Sequence, residues 1–165
     1  MDRLNVFHQF YSPWKYPSNW IRNIRLFFRQ FKWAYQRATR GYCDPDWWDL
    51  DSYYLDLFSE TLNHMADNTI GWPGNEEFPE FEDWQKYLRT MAQYFYKANE
   101  ANDYYEHPNQ DIWWEDIEKN GKDLNAKSKY SDAMITEAES NYKRREADLQ
   151  NGLHMLEKNF GHLWD

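Results

Sequence analysis

Four carboxylates crowd one short stretch of this sequence, Asp44, Asp46, Asp49 and Asp51, and they are the first residues to test for chemistry. Clustered oxygens attract divalent cations, but a calcium loop needs ligands alternating along a glycine-containing turn. Here the stretch Gly41-Tyr42-Cys43-Asp44-Pro45-Asp46 reads as the entry to a helix. Asp44 suits the cap, Pro45 the first turn, and Asp46 and Asp49 the positive end of the helix. Glu60 and His64 stand four apart and would share a helix face, yet a di-iron bundle needs two Glu-x-x-His pairs and two further carboxylates. No such pair occurs. Cys43 is the single cysteine. Its thiolate is disfavoured beside Asp44, although a helix N-terminus pulls the other way, and a small residue in a tight turn accounts for it. The sequence has no glycine-rich phosphate loop, no Gly-x-Ser-x-Gly and no His-Glu-x-x-His. It predicts no catalytic residue, no metal and no cofactor, and so a chain that is not an enzyme.

Two sets of residues remain as binding candidates. Arg22, Arg25, Arg29 and Lys32 keep a helical rhythm, interleaved with Trp33 and Tyr35, and suit an anion: a phosphate backbone or a phosphorylated small molecule. The bland alternative is that Asp56 and Glu60 of the next helix neutralise them. Asp49, Asp56 and Glu60 are spaced to line the outer face of that helix and, with Trp72, form a candidate partner-binding set.

Charge is sorted by position. Residues 1–41 carry eight Lys or Arg against one Asp, a net of +7, and residues 42–165 carry eleven against 27 acids, a net of −16. Such an arm and body either neutralise one another within one fold or meet different partners. The chain has 10 Trp, 13 Tyr and 10 Phe, enough buried ring area to support a core despite a mean hydropathy of −1.09. No apolar run approaches the ~20 residues of a membrane span, and no signal peptide is recognisable, so a protein of the cytoplasm is expected, with no membrane partner.

The elements that must position these residues are helices. Residues 1–17 suit an extended lead-in. Ser18 or Asn19 can cap a helix reaching Arg40, with Gly41 ending it. Trp20, Ile24, Phe27, Phe28, Phe31, Ala34, Tyr35 and Ala38 read as its buried stripe. A second helix runs from the Asp44 cap to Ala66 or Asp67, with Trp47, Leu50, Tyr54, Leu57, Phe58, Leu62 and Met65 inward. A loop over 68–79 precedes a third helix over about 80–101. Residues 102–130 are partly irregular, with a short helix near Trp113. A long helix runs from Tyr130 to about Leu163 through Met134, Ala138, Tyr142, Leu149, Leu153, Leu156, Phe160 and Leu163. The reading is an all-α, single-domain bundle of four to five helices spanning 1–165. Its basic helix packs on the acidic one, with Trp47, Phe27, Phe31, Leu57, Trp84, Leu88, Phe95 and Phe160 in the core.

The segment Gly41–Asp51 (GYCDPDWWDLD), the loop Gly71-Trp72-Pro73-Gly74, the Phe81-x-x-Trp84 helix start and the tail Phe160-Gly161-His162-Leu163-Trp164-Asp165 resemble a family of small phage and prophage proteins. Members carry Gly-aromatic-Ser-Asp-x-Asp-x-Trp-x-Leu-Asp, so Cys43 replaces the usual Ser. The resemblance covers roughly 36–100 and 149–165. It implies a viral origin and a helical fold, and no particular reaction. Together these readings lead to a non-enzymatic phage accessory protein in the host cytoplasm that binds and blocks a host component, such as a defence nuclease or its nucleotide signal. The alternatives are a phage assembly protein that oligomerises through its last helix, and a nucleic-acid or nucleotide binder using the basic helix.

Overall fold

Trp84 sits where the core begins. It lies in the first turn of a helix, Phe81–Ala98, whose start is favoured by Glu82 and Asp83 at the positive end. Trp84, Leu88, Met91, Ala92 and Phe95 recur at three- and four-residue steps and are all buried. This helix is the centre of the molecule. The computed structural model describes residues 20–105 and 131–163, without side chains at 20–23, 26 and 131–133. Over these residues four α-helices follow in order: α1 (Trp20–Arg40), α2 (Leu50–Asn68), α3 (Phe81–Ala98) and α4 (Ser131–Asn159). Three 3-10 turns complete them, at Asp44–Asp49, Glu100–Asn102 and Phe160–His162, and no strand occurs among the described residues. The architecture is an all-α bundle with a long C-terminal helix.

On one side α3 meets Leu62 and Ala66 of α2, with Leu55, Phe58 and Met65 packed around them. On the other it meets Leu149, Met155 and Leu156 of α4, with Leu163 beyond its end. The α2–α3 loop closes the third side. Asn75 Oδ1 accepts from the backbone N–H of Glu77 (3.1 Å) and Phe78 (2.9 Å), an Asx turn that aims the Phe78 ring inward. Phe78 then meets Trp84 and Tyr87 edge-on at 4.9 Å, while Trp84 and Tyr87 stack at 5.6 Å. Each such pair adds roughly 0.5–1.5 kcal/mol beyond its burial.

Two details set how α4 docks. Gly152 lies against the Phe95 ring, and a Cβ there would come within 3.0 Å of it. Polar groups run through the seam around this contact, beside the aliphatic ones. Asn141, Asp148 and Asn159 are buried with Gly152 at helical spacing. Tyr105 O–H donates to Asp148 (2.5 Å), Asn141 donates to the Tyr105 carbonyl (2.9 Å), and Tyr87 O–H donates to the Met155 carbonyl (2.7 Å). Asn159 donates in turn to the Tyr87 hydroxyl at 2.9 Å. The Asp148 bond, ahead of burial, pushes the Tyr105 phenol up to about 12. At the end of α3, Asn99 donates to Asp56 (2.6 Å) and to the Ser52 carbonyl (3.1 Å), tying that end to α2.

Several expectations are corrected. Phe31 (53 % exposed), Trp47 (67 %) and Phe160 (66 %) lie outside the core. Phe27 and Leu57 are only half-buried and lie outside the core cluster, and Trp84, Leu88 and Phe95 are where they were expected. The α-helical part of α2 starts at Leu50, because Asp44–Asp49 winds as a 3-10 turn capped by Cys43 rather than Asp44. The change of winding turns Trp47 and Tyr54 outward, and Ser52, Asp56, Ser59, Leu62 and Ala66 inward. The long helix buries its polar seam, leaving Ala138, Tyr142 and Leu153 exposed. The lead-in 1–17, the Ser18 or Asn19 cap, the segment after Tyr105 and the last two residues lie outside the described residues.

Two outcomes test this packing in urea unfolding. Trp84→Ala is expected to cost about 3–5 kcal/mol at unchanged m-value. Gly152→Val is expected to cost about 1–3 kcal/mol, since Phe95 is fully buried and cannot yield to the new methyls.

Candidate functional site

The joint between arm and body is built from a few residues. α1 ends where Gly41 takes a φ of +82°, which glycine adopts at no steric cost, and its N–H returns to the Arg37 carbonyl at 3.0 Å. Cys43, extended at φ −117°, then caps the 3-10 turn. Its N–H donates to Asp46 Oδ2 at 2.7 Å while its carbonyl accepts from Asp46 N–H at 3.0 Å. The carbonyl bond closes the 3-10 turn. The Asp46 carboxylate reaching back to the Cys43 N–H, with the Cys43 thiol facing the Asp46 N–H, gives the Ser/Thr-x-x-Glu capping box with Cys and Asp in its places. Arg37 reaches over from α1. Its Nε donates to Asp46 Oδ2 at 3.0 Å and its Nη2 to Oδ1, with both side chains under a tenth exposed. Tyr53 of α2 closes the joint by donating its hydroxyl to the Gly41 carbonyl.

The electrostatics follow from this geometry. Burial raises the Asp46 carboxyl, but the Arg37 guanidinium and the Cys43 N–H outweigh it and hold Asp46 below the usual carboxylate range. Burial, helped by Asp46, pushes the Cys43 thiol up to about 11, so this cysteine stays a protonated, buried thiol at neutral pH. Asp44 is on the open side. Lys32 (2.9 Å), Gln36 (3.0 Å) and Arg40 (2.5 Å) donate to it, Lys32 foremost, and together hold it well below its ordinary value.

What this joint presents to solvent is aromatic and acidic. Trp47 and Trp48 project from the turn, Trp48 with 91 % of its surface exposed, and Asp49 and Asp51 beside them are exposed too. The expected sites distribute around this elbow unevenly. Arg25 and Arg29 are exposed on α1, Lys32 is engaged by Asp44, and the Arg22 side chain lies outside the described ones. Lys32, Arg37 and Arg40 meet Asp44 and Asp46, carboxylates of the turn rather than the Asp56 and Glu60 named in the sequence reading. Asp56 is only 7 % exposed and bonded to Asn99, so it is withdrawn from any partner surface because it faces α3. Glu60 and Trp72 are exposed, Trp72 with its ring 5.8 Å from Phe81. Sequence reasoning missed Trp47 and Trp48 as surface residues. The signal was present: two adjacent tryptophans on one turn cannot both face inward.

Among the described residues no group of three His, Cys, Asp or Glu is placed to hold a metal ion, and no helix is long and apolar enough to cross a membrane. No protein-family model, no curated protein and no solved structure matches the chain. The arrangement offers adhesive rings on a braced turn.

Breaking the buried pair leaves a carboxylate without its counter-ion. Arg37→Ala is expected to cost about 3–5 kcal/mol in urea unfolding, against less than about 0.5 for Arg25→Ala. Because the Asp46 carboxyl is depressed in the fold, its contribution is complete above the unfolded value of about 3.9 and is lost as pH falls through the folded one. Wild-type stability is therefore expected to fall through this acid range more steeply than that of Asp46→Asn.

Proposed function

We propose that this chain is a non-enzymatic binding protein that presses the Trp47–Trp48 elbow, flanked by Asp49 and Asp51, into a basic cleft of a protein partner. One observation carries the reading: the turn is braced by a buried ion pair and a capping box, yet the two largest side chains on it face water. Tryptophan is the commonest binding hot spot, and rings held on a rigid base lose little freedom on docking. The carboxylates beside them and the net −16 of residues 42–165 favour a basic partner and speed its encounter. In the phage setting that the sequence resemblance implies, the partner is a host component such as a defence nuclease, which binding blocks. A second reading, binding of nucleic acid or a nucleotide by the basic helix, has the exposure of Arg25 and Arg29 in its favour.

Capture from bacterial host lysate at rising salt tests both. A stoichiometric basic protein is expected, released near 0.5 M salt, where charge screening shortens to about 4 Å. Trp47→Ala with Trp48→Ala is expected to weaken capture by roughly thirtyfold or more. Arg25→Glu with Arg29→Glu leaves it intact in the protein-partner reading and abolishes it in the nucleic-acid one. Recovery of no partner removes the proposal.

A further inference from the structure

Two helices of this molecule bury polar groups on their packed side and leave apolar groups exposed. On α1 Gln30 and Ala34 are buried, as is the Arg37 side chain, while Phe28, Phe31 and Tyr35, at three- and four-residue steps, are exposed. Arg25 and Arg29 are exposed further round the same helix. On α4 the buried seam is Asn141, Asp148, Gly152 and Asn159, edged by the half-buried Leu149, Met155 and Leu156, while Ile135, Tyr142 and Leu153 are exposed along its flank. Glu139 and Glu146 stand exposed among these, at the spacing that puts them on the same stripe.

We infer that a second copy of this chain covers both faces, with α1 of one copy laid along the outer face of α4 in the next. The two faces complement one another in shape and charge. Phe28 to Tyr35 and Ile135 to Tyr142 each span seven residues, about 10 Å of helix, so the rings of one stripe can seat between the apolar groups of the other. Arg25 and Arg29 then meet Glu139 and Glu146, with Lys143 further round α4. Within one copy α1 packs on the Asp44–Asp49 turn, and α4 packs on α3. Because the two surfaces differ, the contact is head-to-tail and builds a ring or an open chain rather than a two-fold dimer. An anionic bilayer fits the arm less well. It would leave the α4 face uncovered and would repel the acidic body.

Sedimentation velocity on the full chain across a concentration series tests this. Wild type is expected to be oligomeric. Arg25→Glu with Arg29→Glu, and separately Glu139→Arg with Glu146→Arg, are expected to raise the dissociation constant about tenfold or more, since like charges then face each other. An equal mixture of these two variants restores assembly, because each supplies the face the other has lost. All four positions are exposed, so the variants keep wild-type circular dichroism. A wild-type monomer overturns the inference, as does a monomer that sediments with phosphatidylglycerol vesicles. Oligomers that survive both charge reversals, or a mixture that stays monomeric, overturn it equally.

Discussion

Taking a guanidinium and a carboxylate out of water costs several kcal/mol for each ion, and their attraction recovers that only when the remaining hydrogen-bonding positions are filled. At the elbow they are: Asp46 accepts from Arg37 through two nitrogens and from the Cys43 N–H as well. The orientation of the whole arm follows. A helix pinned at one residue is pinned in rotation, so with Arg37 turned inward, Ala34 and Gln30 follow on the same side one and two turns earlier. Phe28, Phe31 and Tyr35 are then carried to the far side. Transfer energy alone would roll the helix over and bury the rings. The ion pair, joined to the turn by the capping box, holds it in the opposite sense.

α4 is oriented by another route. Its seam on α3 is held in part by hydrogen bonds from Tyr87, Tyr105 and Asn141. Satisfied polar contacts inside a low-dielectric interface are strong and directional, whereas an aliphatic seam tolerates rotation. The segment Asn99–Tyr105 ties α2 to α4 across the end of α3: Asn99 holds Asp56 and the Ser52 carbonyl, Tyr105 holds Asp148, and Glu100 pairs with Arg145 at 3.2 Å. The apolar core can therefore be small, because polar ties at its ends share the work of orientation.

The course of the chain was legible where local chemistry and packing agree. α3 announced itself by acids in its first turn and one regular stripe, and Gly41 marked a helix end that requires a positive φ. The rotational phase of α1 and α4 was not legible, because periodicity reveals an apolar stripe without revealing what covers it. Assigning every stripe to the core placed Phe31 and Phe160 inside, and the structure puts both outside. The opposing signals were quieter. Cys43-x-x-Asp46 has capping-box spacing in unusual residues, and Asn141, Asp148 and Asn159 share one helix face with Gly152. Asp56 was read as surface charge because its neighbours on the helix are charged, whereas its partner Asn99 lies 43 positions away in sequence. The candidate site is legible in part: the spacing puts Asp49 on the surface, but it sends Trp47 to the interior and assigns no role to Trp48.

The single missing side chain at Gly152 has a mechanical meaning. Sliding α4 by one turn along α3 would bring Asp148, Leu149, Met155 or Leu156 to the place where Phe95 tolerates no methyl, so the joint is keyed and only one axial position seats. A keyed helix keeps a constant offset between its two ends. Movement begun at Ser131 thus reaches Phe160 as displacement of a stiff rod, with no slippage to absorb it.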